Sequence, residues 1–350
     1  ERALLDLVAL GTVADVAPLT SCNRSLVRDG VAALRRTARP GLRALVARAG
    51  LKPASLTVED ISFRLAPRLN AAGRLASPEL ALRLVMTNDE REASQLAEEL
   101  ERLNTKRKAL AETVTGEALA AVVALPDWER RPLLVLKSAV WEPGVLGAVA
   151  SRLVEQLGRP VVLLHGDEML HGSARSVPGF DLAAALVDQD ALLTRHGGHS
   201  LAAGLGIERH NLAAFEAGML AAVARLDLDL PMFRTIDLAA DLPADRLTLD
   251  TARLLDALEP CGQGNETPVF RLRAARVLRY TAMGADRRHL RITIQAGRGK
   301  VEAIGWGAAD RSRELVLERS IDLAGTLQIN RWNGQERLQL IAEDFRPARG

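Results

Sequence analysis

The sequence predicts an α/β domain followed by a small β-barrel, with one long helix ahead of the α/β part. Residues 88–125 contain no proline and one glycine, and their leucines recur at helical spacing, so we predict a helix of roughly 55 Å at 1.5 Å per residue. Apolar runs at 132–136 and 160–164 flank a helical pattern over 145–156, which is the order of a βαβ unit. Strand-sized segments separated by turns across residues 276–343 then fit a barrel of the OB type.

The composition indicates two or three folded domains and excludes a strongly charged chain. The 350 residues are 48% hydrophobic, and 46 basic against 44 acidic residues leave a formal charge of +2. Five basic residues are Lys, so 46 − 5 = 41 are Arg; this bias suits phosphate binding, but genome composition produces it as well. No apolar run approaches the roughly 20 residues of a membrane span. Cys22 and Cys261 stand far apart, and we expect a cytoplasmic protein.

The first residues read as the continuation of a longer protein. The chain starts at Glu1, without a methionine and inside a helical pattern. We predict that this helix ends near Gly11 and that a loop follows as far as Leu19. Asp15 is the single carboxylate of that loop and stands among small apolar residues. Such a group caps a helix, pairs with a cation or binds a metal ion, and the sequence leaves all three open.

An arginine-containing segment follows Pro67. Arg68, Asn70 and Arg74 lie within this one short, glycine-containing stretch and are candidates to converge on a phosphodiester backbone. The alternative is that they form the solvated face of a helix.

Two glycine-rich stretches, 171–179 and 196–204, carry the main predicted ligand site. A predicted strand over 168–173, a helix over 180–188 and a glycine turn at 197–199 place both stretches at strand ends, where α/β sheets bind ligands. The candidate phosphate ligands offer hydroxyl, guanidinium, imidazole or glycine N–H groups: Ser173, Arg175, Ser176, Gly197, Gly198 and His199. The alternative is that these clusters are only turns.

The predicted barrel is basic and holds most of the Trp and Tyr rings. Residues 271–300 contain eight Arg and one Lys against Asp286. A strand over 235–238 and a helix over 249–258 are predicted ahead of it. The rings on or near its strands are Tyr280, His289, Trp306 and Trp332, and the candidate ligands are Arg276, Arg279, Tyr280 and Arg288. Charge interleaved with rings favours single-stranded nucleic acid; a plain Arg-rich β-surface is the alternative.

Six motifs in a fixed order connect these features. They are Gly11–Leu19, Pro67–Arg74, Trp141–Gly147, Gly172–Ser176, Gly197–Gly204 and Pro260–Asn265. Together they resemble the RecJ family of single-strand-specific 5′→3′ DNA exonucleases, in the DHH phosphoesterase superfamily, over essentially the whole chain. The resemblance implies four parts: the C-terminal part of a DHH domain at 1–87, a long connecting helix at 88–126, a DHH-associated α/β domain at 127–227 and an OB-fold single-stranded-DNA-binding domain at 228–350.

The resemblance also implies metal-dependent hydrolysis. Asp15 matches the family's last metal-ligand aspartate, which helps to hold two Mn²⁺ or Mg²⁺ ions that activate water, and with His199 it is the candidate catalytic residue. The family's Asp-His-His triplet is absent from this sequence. The acidic pair at 227–229 is predicted to be solvated and does not replace it. Because the triplet is absent, we expect the 350 residues alone to be inactive.

The remaining implied roles concern DNA. Arg74, Ser173 and Arg175 match positions associated with gripping the 5′ end and backbone, and the glycines before His199 match a substrate-facing motif. The expected partners are single-stranded DNA with a 5′ end, a single-strand-binding protein and a helicase, with the enzyme acting as a monomer in DNA repair and recombination. The alternatives are a module that binds single strands without cleaving them, and a phosphodiesterase for oligoribonucleotides or cyclic dinucleotides.

Overall fold

The computed structural model describes residues 2–226, 228–232, 235–297, 299–332 and 334–348. The chain forms two compact units, residues 34–234 and residues 1–33 with 235–350. The helices are α1 (Leu5–Ala14), α2 (Ser21–Leu34), α3 (Pro40–Arg48), α4 (Val58–Asp60), α5 (Ala66–Leu75), α6 (Glu79–Met86), α7 (Glu90–Ala124), α8 (Pro143–Leu157), α9 (Leu182–Val187), α10 (Leu212–Ala224) and α11 (Leu249–Asp256). The strands are β1 (Leu134–Ser138), β2 (Val161–His165), β3 (Met169–Arg175), β4 (Leu193–His199), β5 (Ala202–Glu208), β6 (Ala240–Asp241), β7 (Phe270–Met283), β8 (His289–Ala296), β9 (Gly299–Gly305), β10 (Ser320–Trp332) and β11 (Gln335–Pro347).

Helix α7 is the element on which the rest of the unit 34–234 packs. Its 35 residues follow Asp89, whose carboxylate accepts hydrogen bonds from the backbone N–H groups of Arg91 and Glu92, the usual N-cap arrangement. Its first half packs against α3, α5 and α6, and its second half packs against α8 and β1. The predicted long helix is confirmed. Among the described residues, no helix is both long and apolar enough to cross a membrane.

The sheet of this unit has the order β1-β2-β3-β5-β4. Strands β1 and β2 are parallel and joined by α8, so the predicted βαβ unit is confirmed, whereas β3, β5 and β4 alternate in direction. Over β1 and β2, one face is covered by α7 and α8 around Leu134 and Leu163. The opposite face is covered by α9 and α10 around the fully buried Phe215.

The second unit contains a closed five-stranded barrel. Strand β10 pairs with β11 on one side and with β7 on the other, and β11-β9-β8-β7 complete the circle, so the predicted OB-type barrel is confirmed. Apolar side chains of alternate positions fill it, among them Leu272, Val277, Ile292, Ile294 and Leu323. The short strand β6 pairs with the start of β7.

The first residues of the chain pack onto a turn of this second unit. The backbone N–H of Leu19 donates to the carbonyl of Gln263 at 2.6 Å, and the guanidinium of Arg24 donates to the carbonyl of Leu258 at 2.8 Å. Two of the sequence motifs, 11–19 and 260–265, are therefore neighbours in space.

Two predicted boundaries are wrong. Helix α1 continues through Gly11 to Ala14, because an isolated glycine costs a helix only about 1 kcal/mol and the N–H of Asp15 still donates to the carbonyl of Gly11 at 3.0 Å. Residues 197–199 lie within β4, not in a turn, because they pair with β5; the turn comes one residue later.

The predicted strand at 235–238 is also wrong. The only strand pairing before α11 in the described residues of this second unit is β6 with β7, and it begins at Ala240. The predicted acidic pair at 227–229 lies partly outside the described residues, because residue 227 is not among them.

Candidate phosphate and nucleic-acid site

One face of the β3-β5-β4 part of the sheet forms a groove with a glycine floor. Cross-strand partners lie on the same face, and the register aligns Ser173 with Gly204 and Gly197, and His171 with Gly206. Because glycine has no side chain, the middle strand leaves space between the polar groups on either side. A Cβ atom on Gly197 would meet nothing within 4 Å. The groove encloses about 410 Å³.

Arg175 and Ser173 meet the same helix at the edge of this groove. A Cβ atom on Gly147 of α8 would lie 2.8 Å from Nη2 of Arg175 and 3.7 Å from Oγ of Ser173. The first turn of α8, which starts at Pro143, also lines the groove. Pro143 has no N–H, and the N–H of Val145 already donates to the carbonyl of Glu142, so this helix start contributes the partial positive charge of its dipole. The guanidinium and the hydroxyl can donate hydrogen bonds to an anion, and the helix start adds positive charge.

Arg74 joins them from α5. A Cβ atom on Gly144 would lie 2.0 Å from the carbonyl oxygen of Arg74, so α5 and α8 touch through their backbones. Nη1 of Arg74 donates to the carbonyl of Gly144 at 3.4 Å. Burial, and then the charge of Arg74, lower the pKa of the Arg175 guanidinium. Neighbouring cations that disfavour each other in this way favour a bound anion.

Of the other two candidates of this segment, only one lies on the same face as Arg74. Arg68 points to α7, where its guanidinium pairs with Glu101, and its side chain is only 12% exposed. Asn70 is exposed and, four residues before Arg74, shares its helix face. The structure therefore gives Arg68 a packing role, and the sequence-based prediction that it contacts a phosphate is not supported.

The far end of the groove holds a cluster that sequence reasoning missed. The rings of His165 and His171 are 5.9 Å apart, and Nη2 of Arg195 donates to Nδ1 of His171 at 3.3 Å. Burial, and then the neighbouring His171, lower the pKa of His165. The two histidines become neighbours only through the antiparallel β2–β3 register, which no local pattern predicts.

Three further predicted ligands have different surroundings. The Ser176 hydroxyl is buried and donates to the carbonyl of Phe180 at 2.9 Å, so it stabilises the turn before α9 and is not available to a ligand. Gly198 faces away from the groove, where a Cβ atom would lie 2.3 Å from the carbonyl oxygen of Ala202. His199 is exposed at the end of β4, in register with Ala202 and Arg175.

Asp15 is exposed at the C-terminal end of α1, where it is the C-cap residue. A carboxylate is a suitable oxygen ligand for Mn²⁺ or Mg²⁺. However, the described residues contain no group of three His, Cys, Asp or Glu side chains placed to hold a metal ion. The residues present fit one ligand of such a site and not a complete set.

Many arginines of the barrel are already paired. Arg271 and Arg273 both bind Asp241, and the hydrogen bond from Arg271, followed by that from Arg273, lowers the pKa of Asp241 to about 2. Arg276 pairs with Glu318 at 3.1 Å. These contacts hold three arginines against the barrel, among them the predicted DNA ligand Arg276.

Arg279 and Arg291 differ from them. Both are exposed, and no carboxylate in the described part of the chain pairs with either. The register places Arg279 opposite Thr293, and Arg291 opposite Thr281, so the two arginines share the outer face of neighbouring strands. Arg288 pairs with Asp286.

Among the rings, Trp306 has the geometry of a base-stacking platform. It is 60% exposed and contacts His289 edge to face with 4.8 Å between the ring centroids. Tyr280 is opposite the buried Ile292 and packs on the barrel core, so the prediction that it contacts the ligand is not supported. Trp332 ends β10, and its side chain lies outside the described residues.

Comparison with known proteins assigns both parts of the chain. The DHHA1 domain family matches residues 130–224, and the RecJ OB domain family matches residues 238–344. The chain carries a DHHA1 domain and a RecJ OB domain. The curated protein named single-stranded-DNA-specific exonuclease RecJ is 32% identical in Bacillus subtilis and 36% identical in Thermus thermophilus, each over 97% of this chain. The chain spans 44% and 48% of the lengths of these two relatives.

Solved structures agree with this assignment. The crystal structure of RecJ from Thermus thermophilus in complex with Mn²⁺ superposes with a TM-score of 0.85 at 34% identity, covering 100% of this chain and 50% of that one. The structure of the same protein in complex with Mg²⁺ superposes with the same TM-score of 0.85, at 35% identity. The DHHA1 domain contains the groove with Arg175, and the RecJ OB domain contains Arg279 and Trp306.

The Arg68–Glu101 pair tests the division between packing and ligand residues. We expect Arg68→Ala to lower the free energy of unfolding by about 1–3 kcal/mol, because it leaves a half-buried carboxylate without its partner. Arg102→Ala, which breaks the exposed pair with Glu99, should cost less than about 1 kcal/mol. Urea denaturation measures both. Unchanged stability of Arg68→Ala, together with weakened DNA binding, would contradict this assignment.

Proposed function

We propose that this chain is the DNA-binding part of a metal-dependent, single-strand-specific 5′→3′ DNA exonuclease. One observation carries the proposal: the guanidinium of Arg175 and the hydroxyl of Ser173 reach the same point of α8, beside Arg74 and the start of that helix. This arrangement offers several donors and positive charge to one small anion. The names and ligands of the RecJ relatives support the same function.

The geometry explains why the 5′ end of a DNA strand would bind beside Arg175 and Ser173. A 5′-terminal phosphate carries more charge and more free oxygens than an internal diester, so it gains more from charge-assisted hydrogen bonds. Arg175 can donate a fork of two N–H groups, Ser173 can donate a hydroxyl, and the start of α8 adds the partial positive charge of the helix dipole. The glycine floor at Gly197 and Gly204 lets the backbone of a strand lie close to the sheet.

The barrel would bind the strand away from its end. Arg279 and Arg291 are unpaired cations among the described residues, and Trp306 is an exposed ring. Phosphate contacts and base stacking of this kind hold single strands without reading their sequence. Duplex would bind less well, because its bases are already stacked on one another.

Mn²⁺ or Mg²⁺ would supply an activated water and neutralise the attacked phosphate. Asp15 is the residue of this chain that would contribute a ligand. The chain's own contribution is therefore to bind and orient the strand in the cytoplasm, where a single-strand-binding protein and a helicase are the expected partners. A second candidate function, single-strand binding without cleavage, is favoured by the absence of a three-residue metal cluster from the described residues.

The terminal phosphate gives the first test of the proposal. We expect Arg175→Ala to weaken binding of a 5′-phosphorylated oligonucleotide by ten- to a hundredfold, since a charge-assisted hydrogen bond contributes about 1.5–3 kcal/mol. The 5′-hydroxyl oligonucleotide should lose less. His199→Ala should affect both oligonucleotides alike, because we place His199 along the bound DNA strand and not at its 5′ end. Fluorescence anisotropy on the two oligonucleotides measures this, and equal losses for Arg175→Ala would remove the end-binding role.

The barrel is tested through the salt dependence of binding. Arg279→Ala and Arg291→Ala should each reduce the slope of log affinity against log salt by about 0.7, the value for one phosphate contact on a single strand. Arg271→Ala is the matched control, because the Arg271 guanidinium is already bound to both carboxylate oxygens of Asp241. If all three variants keep the slope of the unmodified chain, the barrel is only an Arg-rich β-surface.

A further inference from the structure

Arg107 on α7 has a guanidinium that the protein satisfies only in part. Its Nε is buried and has no hydrogen-bond partner among the described residues. Its Nη2 donates to Oδ1 of Asn104 at 2.9 Å, and Asn104 is 1% exposed. In the described part of the chain no carboxylate pairs with Arg107. A half-buried cation held by a neutral acceptor keeps its whole charge available.

Other cations surround this group instead of anions. Burial, then Arg74 and then Arg152, lower the pKa of Arg107. Arg74 also lowers the pKa of Arg175, so Arg74 is a neighbour of both groups. Burying a charge without a partner is unfavourable even when the burial is partial, and like charges add to that cost. A protein tolerates such a cluster where a ligand supplies the missing negative charge.

Arg159 shows what a purely structural buried arginine looks like in the same unit. It is 4% exposed, but its Nη1 donates to the backbone carbonyls of Trp128, Glu129 and Arg131 at 2.7–3.0 Å. The partial charges of those carbonyls compensate its burial. Arg107 has one acceptor, the side-chain amide of Asn104, where Arg159 has three carbonyls. A packing role therefore does not account for Arg107.

The position of Arg107 on its helix directs it to the phosphate site. It lies four residues before Ala111 and therefore on the same face of α7. Ala111 is buried in the cluster that α7 forms with α8. Arg107 thus continues the α8-facing side of α7, and α8 is the helix that Arg175 and Arg74 contact through Gly147 and Gly144.

We propose that Arg107, together with Arg74 and Arg152, binds an internal phosphodiester of the strand whose 5′-terminal phosphate Arg175 and Ser173 hold. This rests on the proposed function. The terminal phosphate occupies the donors beside Gly147, which are Arg175 and Ser173. The guanidinium groups that remain available are those of Arg107, Arg74 and Arg152. A phosphodiester carries one negative charge and two free oxygens, which suits an exposed Arg74 and a partly buried Arg107. Asn104 positions Arg107 without neutralising it.

The test uses 5′-phosphorylated oligothymidines in which one linkage at a time is a neutral methylphosphonate. Arg107→Met should weaken binding of the unmodified oligonucleotide about tenfold. When the neutral linkage occupies the position that Arg107 contacts, Arg107→Met and the unmodified chain should bind equally. Arg102→Met is the matched control on the same helix, because Arg102 is exposed and paired with Glu99, and it should change nothing.

A second variant keeps the arginine and removes its available charge. Asn104→Asp places a carboxylate at the atom that already accepts from Arg107, so it should weaken binding about as much as Arg107→Met and raise the melting temperature in chloride buffer. Normal binding by both variants, or a loss of equal size at every linkage, would overturn the proposal. Failure of the terminal-phosphate role appears separately, as equal losses for Arg175→Ala on 5′-phosphate and 5′-hydroxyl strands.

Discussion

The site depends on the close approach of α8 to its neighbours. Gly144 lets the backbone of α8 touch that of Arg74 on α5, and Gly147 leaves room for the guanidinium of Arg175 from β3. Any larger residue at either position would separate the elements or displace the cation. Since an interior glycine such as Gly147 destabilises a helix by about 1 kcal/mol relative to alanine, the contact with Arg175 is retained at the expense of stability. The close contact places Arg74 and Arg175 beside the start of α8.

Electrostatics explains why the region where α5, α7 and β3 meet α8 is not simply a stable core. Most arginines of the described chain that approach the interior have partners, as Arg68 has Glu101 and Arg159 has three carbonyls. Arg175 and Arg107 instead have cationic neighbours that lower their pKa values. Local sacrifices of stability of this kind are typical of functional sites. A bound phosphate backbone would relieve the repulsion, so ligand binding and stability of this region should be coupled.

Much of the fold was predictable, because its signals are local. The length of α7, the βαβ order and the barrel strands follow from periodicity, and the strand predicted over 168–173 is observed as β3 at Met169–Arg175. Helix geometry alone would also have separated Arg68 from Arg74. Two of the errors came from glycine: Gly11 does not end α1, and Gly197 lies within a strand because β5 pairs with it. Strand register and helix packing are long-range, so the His165–His171 cluster and the role of Arg107 were not predictable from the sequence.

The central claim is that α8 positions Arg175 for an anion, and Gly147→Ala tests it most directly. The new methyl group would meet Nη2 of Arg175 at 2.8 Å, and a flexible guanidinium can move aside while the helix gains about 1 kcal/mol of intrinsic stability. We therefore expect unchanged or higher stability in urea, together with loss of the preference for a 5′-phosphorylated over a 5′-hydroxyl oligonucleotide. A Gly147→Ala variant that is folded and keeps that preference would contradict the account.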